Sequence, residues 1–263
     1  MTTAPAAYLE KMLASPCPTP AVAIADALAH RHKGSAIFVY GSGISVSAAE
    51  NATDILFDFY VVAPDYRSAI PKFAERIAAR TIPPNVYYFE VETPLGLLRS
   101  KYALLSVEAF ERLVSKRTFH SYFWARFAQP CRLAACPDAL RQRMIAAVRT
   151  AIETFLQRSQ GLVDDPRDWR AVWLAGMNAS YRAELRAEAS DRAEKLIASY
   201  GDWPQSVAAF ALDPDARRSR RSVAAWKLRA GVGAALSAVR LLKATATFKG
   251  GIDYIAWKVK RHA

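Results

Sequence analysis

Cysteine is scarce, with Cys17, Cys131 and Cys136 the only three in 263 residues. The number is odd, and no CxxC pair or Cys/His ligand spacing is present. That excludes a disulfide-stapled scaffold and a zinc ribbon, and it points to reduced thiols in a cytosolic-type compartment. The four histidines, at positions 30, 32, 120 and 262, form no ligand pattern. Long apolar runs are missing too. Spanning a bilayer takes about 18 apolar residues, whereas the best stretch, 230–239, stops after ten at Arg240. A chain of this kind that meets a membrane lies on it. Residues 1–7 hold no base and no apolar run follows, so no export signal is expected. Internal repeats and low-complexity linkers are absent.

What is present is an ordinary globular composition, 52% apolar and 23% charged, long enough to build a core unaided. The net charge of +12 is unevenly placed. Residues 217–263 carry twelve Lys/Arg and one acid, Asp253, while the first 216 residues hold 24 bases and 23 acids. A near-neutral body with a basic tail seeks polyanions.

Periodicity predicts helices over 4–15 and 20–32, the second opened by Thr19 as N-cap with Pro20 at the first helical position. It then predicts a buried strand over 36–40 closed by Gly41-Ser42-Gly43, and a second strand over 57–62. A helix over 66–80 and strands over 86–91 and 97–105 follow, the strands joined through Pro94 and Gly96. A helix over 106–114 capped by Ser106 and a strand over 129–133 complete the front. Helices over 139–158, 166–189 and 191–200 come next, with Pro204 and Pro214 marking the exit. The expected class is α+β, in three parts: residues 1–134 with a mixed sheet, a helical domain over 135–216, and a basic tail over 217–263.

Tyr40-Gly41-Ser42-Gly43 after a buried strand has a physical use. Small residues let backbone N–H groups approach a phosphate, and the serine hydroxyl adds a donor. Asp58 interrupts the next apolar strand, where aspartate is disfavoured and needs a reason; metal ligation is one and a buried capping acid another. Its alternation with Phe57 and Phe59 places it on the other face. A second carboxylate could come from Asp54, Glu90 or Glu92, because Tyr60 stands two residues on. Lys101 interrupts a further apolar segment, and one reading of it is a surface lysine on an edge strand. Phe119, Tyr122, Phe123, Trp124 and Phe127 fit core better than site.

Read together, Ile37 to Gly43, Phe57-Asp58-Phe59, Asn85 to Tyr88, Leu98 to Tyr102, Tyr122 with Ala125-Arg126, Gln129 to Leu133 and Ser180 to Arg186 resemble the mitochondrial-type phosphatidate cytidylyltransferase family in a bacterial-looking form. The resemblance implies a polymerase-β-like nucleotidyltransferase domain, a helical domain and a membrane-binding C-terminal segment. It implies that CTP and phosphatidic acid give CDP-diacylglycerol and pyrophosphate with Mg²⁺, at the cytoplasmic face of the inner membrane. Tyr40, Gly41, Ser42, Gly43, Tyr181 and Arg182 would bind nucleotide. Asp58, Lys101 and Arg126 would be catalytic, and Asp58, Asp54 and Glu184 would hold metal, although the family motif carries Asp where Glu184 stands. CTP and phosphatidic acid in an anionic membrane are the expected partners, no nucleic acid is expected, and self-association as a homo-oligomer stays open. A nucleotidyltransferase acting on RNA or a small molecule, and a non-catalytic membrane adaptor, are the alternatives.

The tail reads as a membrane device. Arg218, Arg229 and Arg240, spaced by eleven, would stack on one helical face with Lys243. After Gly250-Gly251, Ile252, Ile255 and Val259 share a face while Lys258 and Arg261 point away. Tyr254 and Trp257 fall at the boundary where amphipathic rings sit. Ile252, Tyr254, Ile255, Trp257, Lys258, Lys260 and Arg261 are therefore the expected membrane contacts.

Overall fold

The computed structural model describes residues 4–44, 52–183 and 192–247. The fold is α+β: a five-stranded mixed open sheet and eleven helices among the described residues. No described helix is long and apolar enough to cross a membrane. Two compact units divide the chain. The first takes Leu13–Ala109, Cys131–Arg141 and the chain from Val239; the second takes the chain up to Met12, Phe110–Pro130 and Gln142–Ala238.

The sheet unit holds α2 (Thr19–Arg31), β1 (Ala36–Tyr40), β2 (Leu56–Ala63), α3 (Tyr66–Ala69), α4 (Phe73–Thr81), β3 (Asn85–Thr93), β4 (Gly96–Ser106) and β5 (Cys131–Ala135). Strand order is β3-β4-β2-β1-β5. β2 and β4 run parallel and every other pair is antiparallel. The parallel pair needs a crossover, supplied by α3, α4 and β3. Phe57, Phe59, Val61 and Leu104 are buried, as are Ile24, Ala25 and Leu28 of α2. α2 lies on the sheet face that carries Tyr102 and Phe89: His32 Nε2 shares a 3.1 Å hydrogen bond with the Tyr102 hydroxyl, and Arg31 sits 5.7 Å from the Phe89 ring.

Three local expectations need correction, each at a proline. Thr19 is the first helical residue of α2, not its cap; Pro18 takes that place without a side-chain bond. The helix expected over 66–80 is two helices. Pro71 has no N–H and drives the residue before it out of the α region, and Ile70 is extended at φ −127° and ψ 102°. Asp65 caps α3, accepting from the N–H of Arg67 at 2.6 Å and of Ser68 at 2.9 Å. Pro204 does not end the helical region. It sits in the first turn of α10 (Trp203–Ala211), where a missing N–H costs nothing. Ser106 does cap α5 (Val107–Leu113), accepting from Ala109 N–H at 3.2 Å.

The helical unit is built from most of α1 (Ala4–Leu13), the end of α5, α6 (Tyr122–Phe127), most of α7 (Asp138–Gln160), α8 (Trp169–Ala183), α9 (Arg192–Ser199), α10 and the first part of α11 (Arg220–Thr247). Of the aromatic cluster expected in the core, Phe123, Trp124 and Phe127 are buried, Tyr122 is half-buried and Phe119 is exposed; Phe155, Trp173 and Trp203 of the same unit are buried too. α7 and α8 cross at Gly176, where a Cβ would fall 2.2 Å from Ser159 Oγ.

Burial lowers the His32 pKa to about 4, helped by the Arg31 charge. The unfolded chain therefore takes up the proton first as pH falls. Stability present above about pH 6.5 is expected to drain away as pH drops toward 4, and His32→Gln should flatten that slope in Tm-against-pH curves. A wild-type Tm flat between these pH values would contradict the assignment.

Candidate functional site

β1 ends in a turn of 3₁₀ type over Gly41–Ile44. Gly41 adopts φ +65°, a left-handed backbone that side chains disfavour. At Gly43 a Cβ would stand 2.9 Å from Val39 Cγ2 and 3.3 Å from Phe57 Cδ1. Both glycines are thus required, one by backbone conformation and the other by space. The backbone of Ser42 lies in the same turn.

Register does the rest. Tyr40 pairs with Asp58 across β1 and β2, and Asp58 pairs with Lys101 across β2 and β4. A Cβ on Gly41 would lie 3.9 Å from Asp58 Oδ2. Asp58 Oδ1 is enclosed, with Lys101 Nζ at 3.0 Å. The carboxylate therefore stands directly beside the glycine turn, on the face away from Phe57 and Phe59. Its side chain is 23% exposed and that of Lys101 42%, so both can reach a soluble ligand. Lys101 belongs to β4, an interior strand; the edge-strand alternative does not hold. A lysine on a central strand beside an acid has no solubility role to explain it.

Sequence reasoning did not single out Arg99 as a site residue. It lies two residues before Lys101 and so on the same face, a signal the strand period could have supplied. Its guanidinium donates to the Thr53 carbonyl at 3.2 Å and pairs with Glu90 Oε1 at 3.3 Å. The first bond ties the Ala52–Asp54 turn to the sheet and carries exposed Asp54 to the entrance of β2. Glu90 also accepts from the Tyr88 hydroxyl at 2.6 Å, and burial together with that bond pushes the Tyr88 pKa up. Glu90 is thus engaged by Arg99 and Tyr88, and Glu92 lies further along, opposite Leu97. Tyr60, where a second acid would stand, is buried with its ring 5.2 Å from that of Tyr40.

No family model matches the chain, and no curated protein matches it.

Arg126, Tyr181 and Arg182 belong to the helical unit. Arg126 stands on α6 with its guanidinium 5.1 Å from the Tyr122 ring. Tyr181 and Arg126 both act electrostatically on Tyr200, whose pKa is raised chiefly by burial. The Tyr200 hydroxyl donates to Gln129 Oε1 at 2.7 Å. Arg182 is exposed at the end of α8. Glu184 and the expected membrane contacts Ile252, Tyr254, Ile255, Trp257, Lys258, Lys260 and Arg261 lie outside the described residues. A cavity of about 130 Å³ between α8 and α9, lined by Trp169, Arg170 and Glu194 among others, includes none of the expected site residues. It is smaller than the several hundred Å³ of a typical nucleotide-sized pocket.

Among the described residues, no three His, Cys, Asp or Glu gather closely enough to cage a metal. Magnesium does not require that. It keeps several waters and is usually bound through one or two carboxylates plus substrate phosphates. Asp58, whose Oδ2 lies on the side of Gly41, and exposed Asp54 at the strand entrance are the carboxylates of this region with the chemistry for that mode.

The tail arginines are placed differently from the expectation. Arg218 precedes α11 and pairs with Asp164. Arg229 is buried, donating to the Phe119 carbonyl at 2.9 Å, with its guanidinium 4.8 Å from the Phe119 ring. Burial, then the Arg158 charge, lowers its pKa to about 10. Arg240 Nε donates to the Pro83 carbonyl at 2.8 Å. A carboxylate and two loop carbonyls are what these three side chains meet.

Proposed function

We propose that this site transfers a cytidylyl group from CTP to phosphatidic acid at a membrane surface, releasing pyrophosphate and forming CDP-diacylglycerol. The observation that carries the reading is the Asp58 carboxylate beside the left-handed Gly41 turn with Lys101 across it. Asp58 and Asp54 would hold Mg²⁺ together with the phosphate oxygens. The ion, when bound, supplies charge neutralisation to the triphosphate. The Gly41–Gly43 backbone offers N–H groups to phosphate, and the Ser42 hydroxyl is proposed as a further donor. Lys101 and Arg99 supply positive charge along β4, favouring the oxygens that gain charge as the bond from the α-phosphorus to the α,β-bridging oxygen breaks. A phosphatidate oxygen forms the new bond to the α-phosphorus, and pyrophosphate leaves with the bonding electrons. For Arg126, Tyr181, Arg182 and Glu184 the family resemblance alone supports a role.

The full chain with CTP, Mg²⁺ and phosphatidate vesicles is expected to release pyrophosphate and to form a lipid-soluble cytidylyl product. Silence with CTP, alongside turnover of another nucleotide, would replace this substrate assignment. A second reading draws on one observation, the Lys101 ammonium already seated on Asp58: a non-catalytic adaptor that keeps the pair as a structural link. It expects no turnover with any nucleotide.

A further inference from the structure

The large apolar side chains left in water in the sheet unit concentrate on two helices. On α4, Phe73 and Ile77 are 68% and 47% exposed. Their spacing of four puts them on one face, with exposed Arg80 a turn further on. On α11, Leu241 and Leu242 are 70% and 71% exposed, and Val239 is exposed beside them. The two elements are fastened together. Lys243 Nζ donates to the Ile82 carbonyl, to the Pro84 carbonyl at 2.6 Å and to Asn85 Oδ1 at 3.0 Å, while Arg240 holds Pro83. Ile82 is the residue that ends α4. This end of the helix is therefore inverted: Arg240 and Lys243 turn inward to carbonyls while Leu241 and Leu242 face out. Burial and the Arg240 charge bring the Lys243 pKa down to about 8, in keeping with an inward position.

We propose that Phe73 and Ile77 of α4, with Leu241 and Leu242 of α11, form a two-part docking face that enters the headgroup region of an anionic phospholipid bilayer. This rests on the membrane-surface reading above and adds to it a helix that the sequence did not mark. Charge selects the occupant. Bases flank the apolar residues on α4: Lys72 is largely exposed, Arg76 lies 5.7 Å from the Phe73 ring, and Arg80 is exposed. The one acid of α4, Glu75, is engaged by Lys72 at 3.5 Å and by the Tyr87 hydroxyl at 3.3 Å. The sequence beyond Lys243 adds Lys249, Lys258, Lys260 and Arg261 against one acid, Asp253. A second copy of the chain would set base against base. A nucleic acid would match the charge but leave Phe73 and the leucines in water, since its outer surface is hydrated phosphate. An anionic bilayer meets both demands, because the rings and aliphatic chains enter the interface while the bases stay among the headgroups.

The test uses the full chain and vesicles of phosphatidylcholine containing phosphatidylglycerol. Phe73→Ser/Ile77→Ser and Leu241→Ser/Leu242→Ser each leave the Arg240 and Lys243 bonds intact, so Tm should hold. Each pair is expected to lower vesicle partitioning about tenfold or more in a sedimentation assay. Phe73→Trp should add fluorescence that brominated lipid quenches. Wild-type binding that neither pair weakens, with Phe73→Trp unquenched, overturns the proposal and leaves the membrane reading standing. Wild-type protein that ignores anionic vesicles overturns both. A pair that converts a dimer to a monomer while vesicle binding persists also overturns it, by making the face a self-association surface. Loss of binding in the variants, with pyrophosphate release kept on short-chain phosphatidate in detergent micelles, supports it independently of the chemistry.

Discussion

Asp58→Asn is expected to lower pyrophosphate release from CTP by about a thousandfold or more, a size typical of removing a charge that acts on a transferring phosphoryl group. Asparagine keeps the volume and the polar contacts and removes only the negative charge. The structural cost is small because the partner is accessible: Lys101 is 42% exposed and can rehydrate, so a loss of less than about 1 kcal/mol is expected. Lys101→Met should slow turnover by a smaller factor, since Arg99 on the same face retains part of the positive potential. The pair of variants separates two roles. If Asp58 and Lys101 form only a structural link, both substitutions change Tm together and neither changes a rate. Wild-type turnover by Asp58→Asn, measured in a coupled pyrophosphate assay, would remove the site from this part of the sheet.

The largest loss of stability is expected from Trp173→Ala. Trp173 is fully buried on α8, its ring centroid 5.0 Å from that of Phe155, and its indole N–H donates to the Pro204 carbonyl at 3.1 Å. Truncation leaves a cavity the size of an indole in a unit closely packed at Gly176, and it leaves the Pro204 carbonyl without this donor. The cost should be about 4 kcal/mol, seen as a fall in Tm of roughly 10 °C. Trp173→Phe restores most of the bulk but not the bond, and should cost about 1–2 kcal/mol. Calorimetry or circular-dichroism melting checks both. Equal losses for the two variants would show that the hydrogen bond, not the volume, holds α10 to α8.

What could be read from the residues follows the range of the interaction. β1, its glycine turn and the outward face of Asp58 were legible, because an apolar run, a Gly-Ser-Gly and period-two alternation are local signals. The neighbour of Asp58 was not. Lys101 reaches it through a parallel pairing of β2 with β4 that skips β3, and nothing within either segment announces that register. The two prolines show the same limit. Pro71 breaks a helix and Pro204 begins one, and only the turn each occupies tells them apart. The orientation of α11 was the hardest to foresee. Its period is weak, and the side that turns inward is chosen by carbonyls near residue 83, about 160 positions earlier in the chain.

That distance has a bearing on how the protein can be made. Neither unit is a continuous stretch of polypeptide: the sheet takes β5 from beyond the helix-rich segment 110–130 and is bonded by Arg240 and Lys243 from much later still. During synthesis, β1 waits for its outer strand until residue 135 has emerged, and the carbonyls of Ile82 to Pro84 wait for more than a hundred further residues. Fragments divided at any single peptide bond between residues 110 and 238 would leave both halves of the molecule short of parts, so co-expressed complementary pieces, not isolated ones, are the form in which a split version should recover.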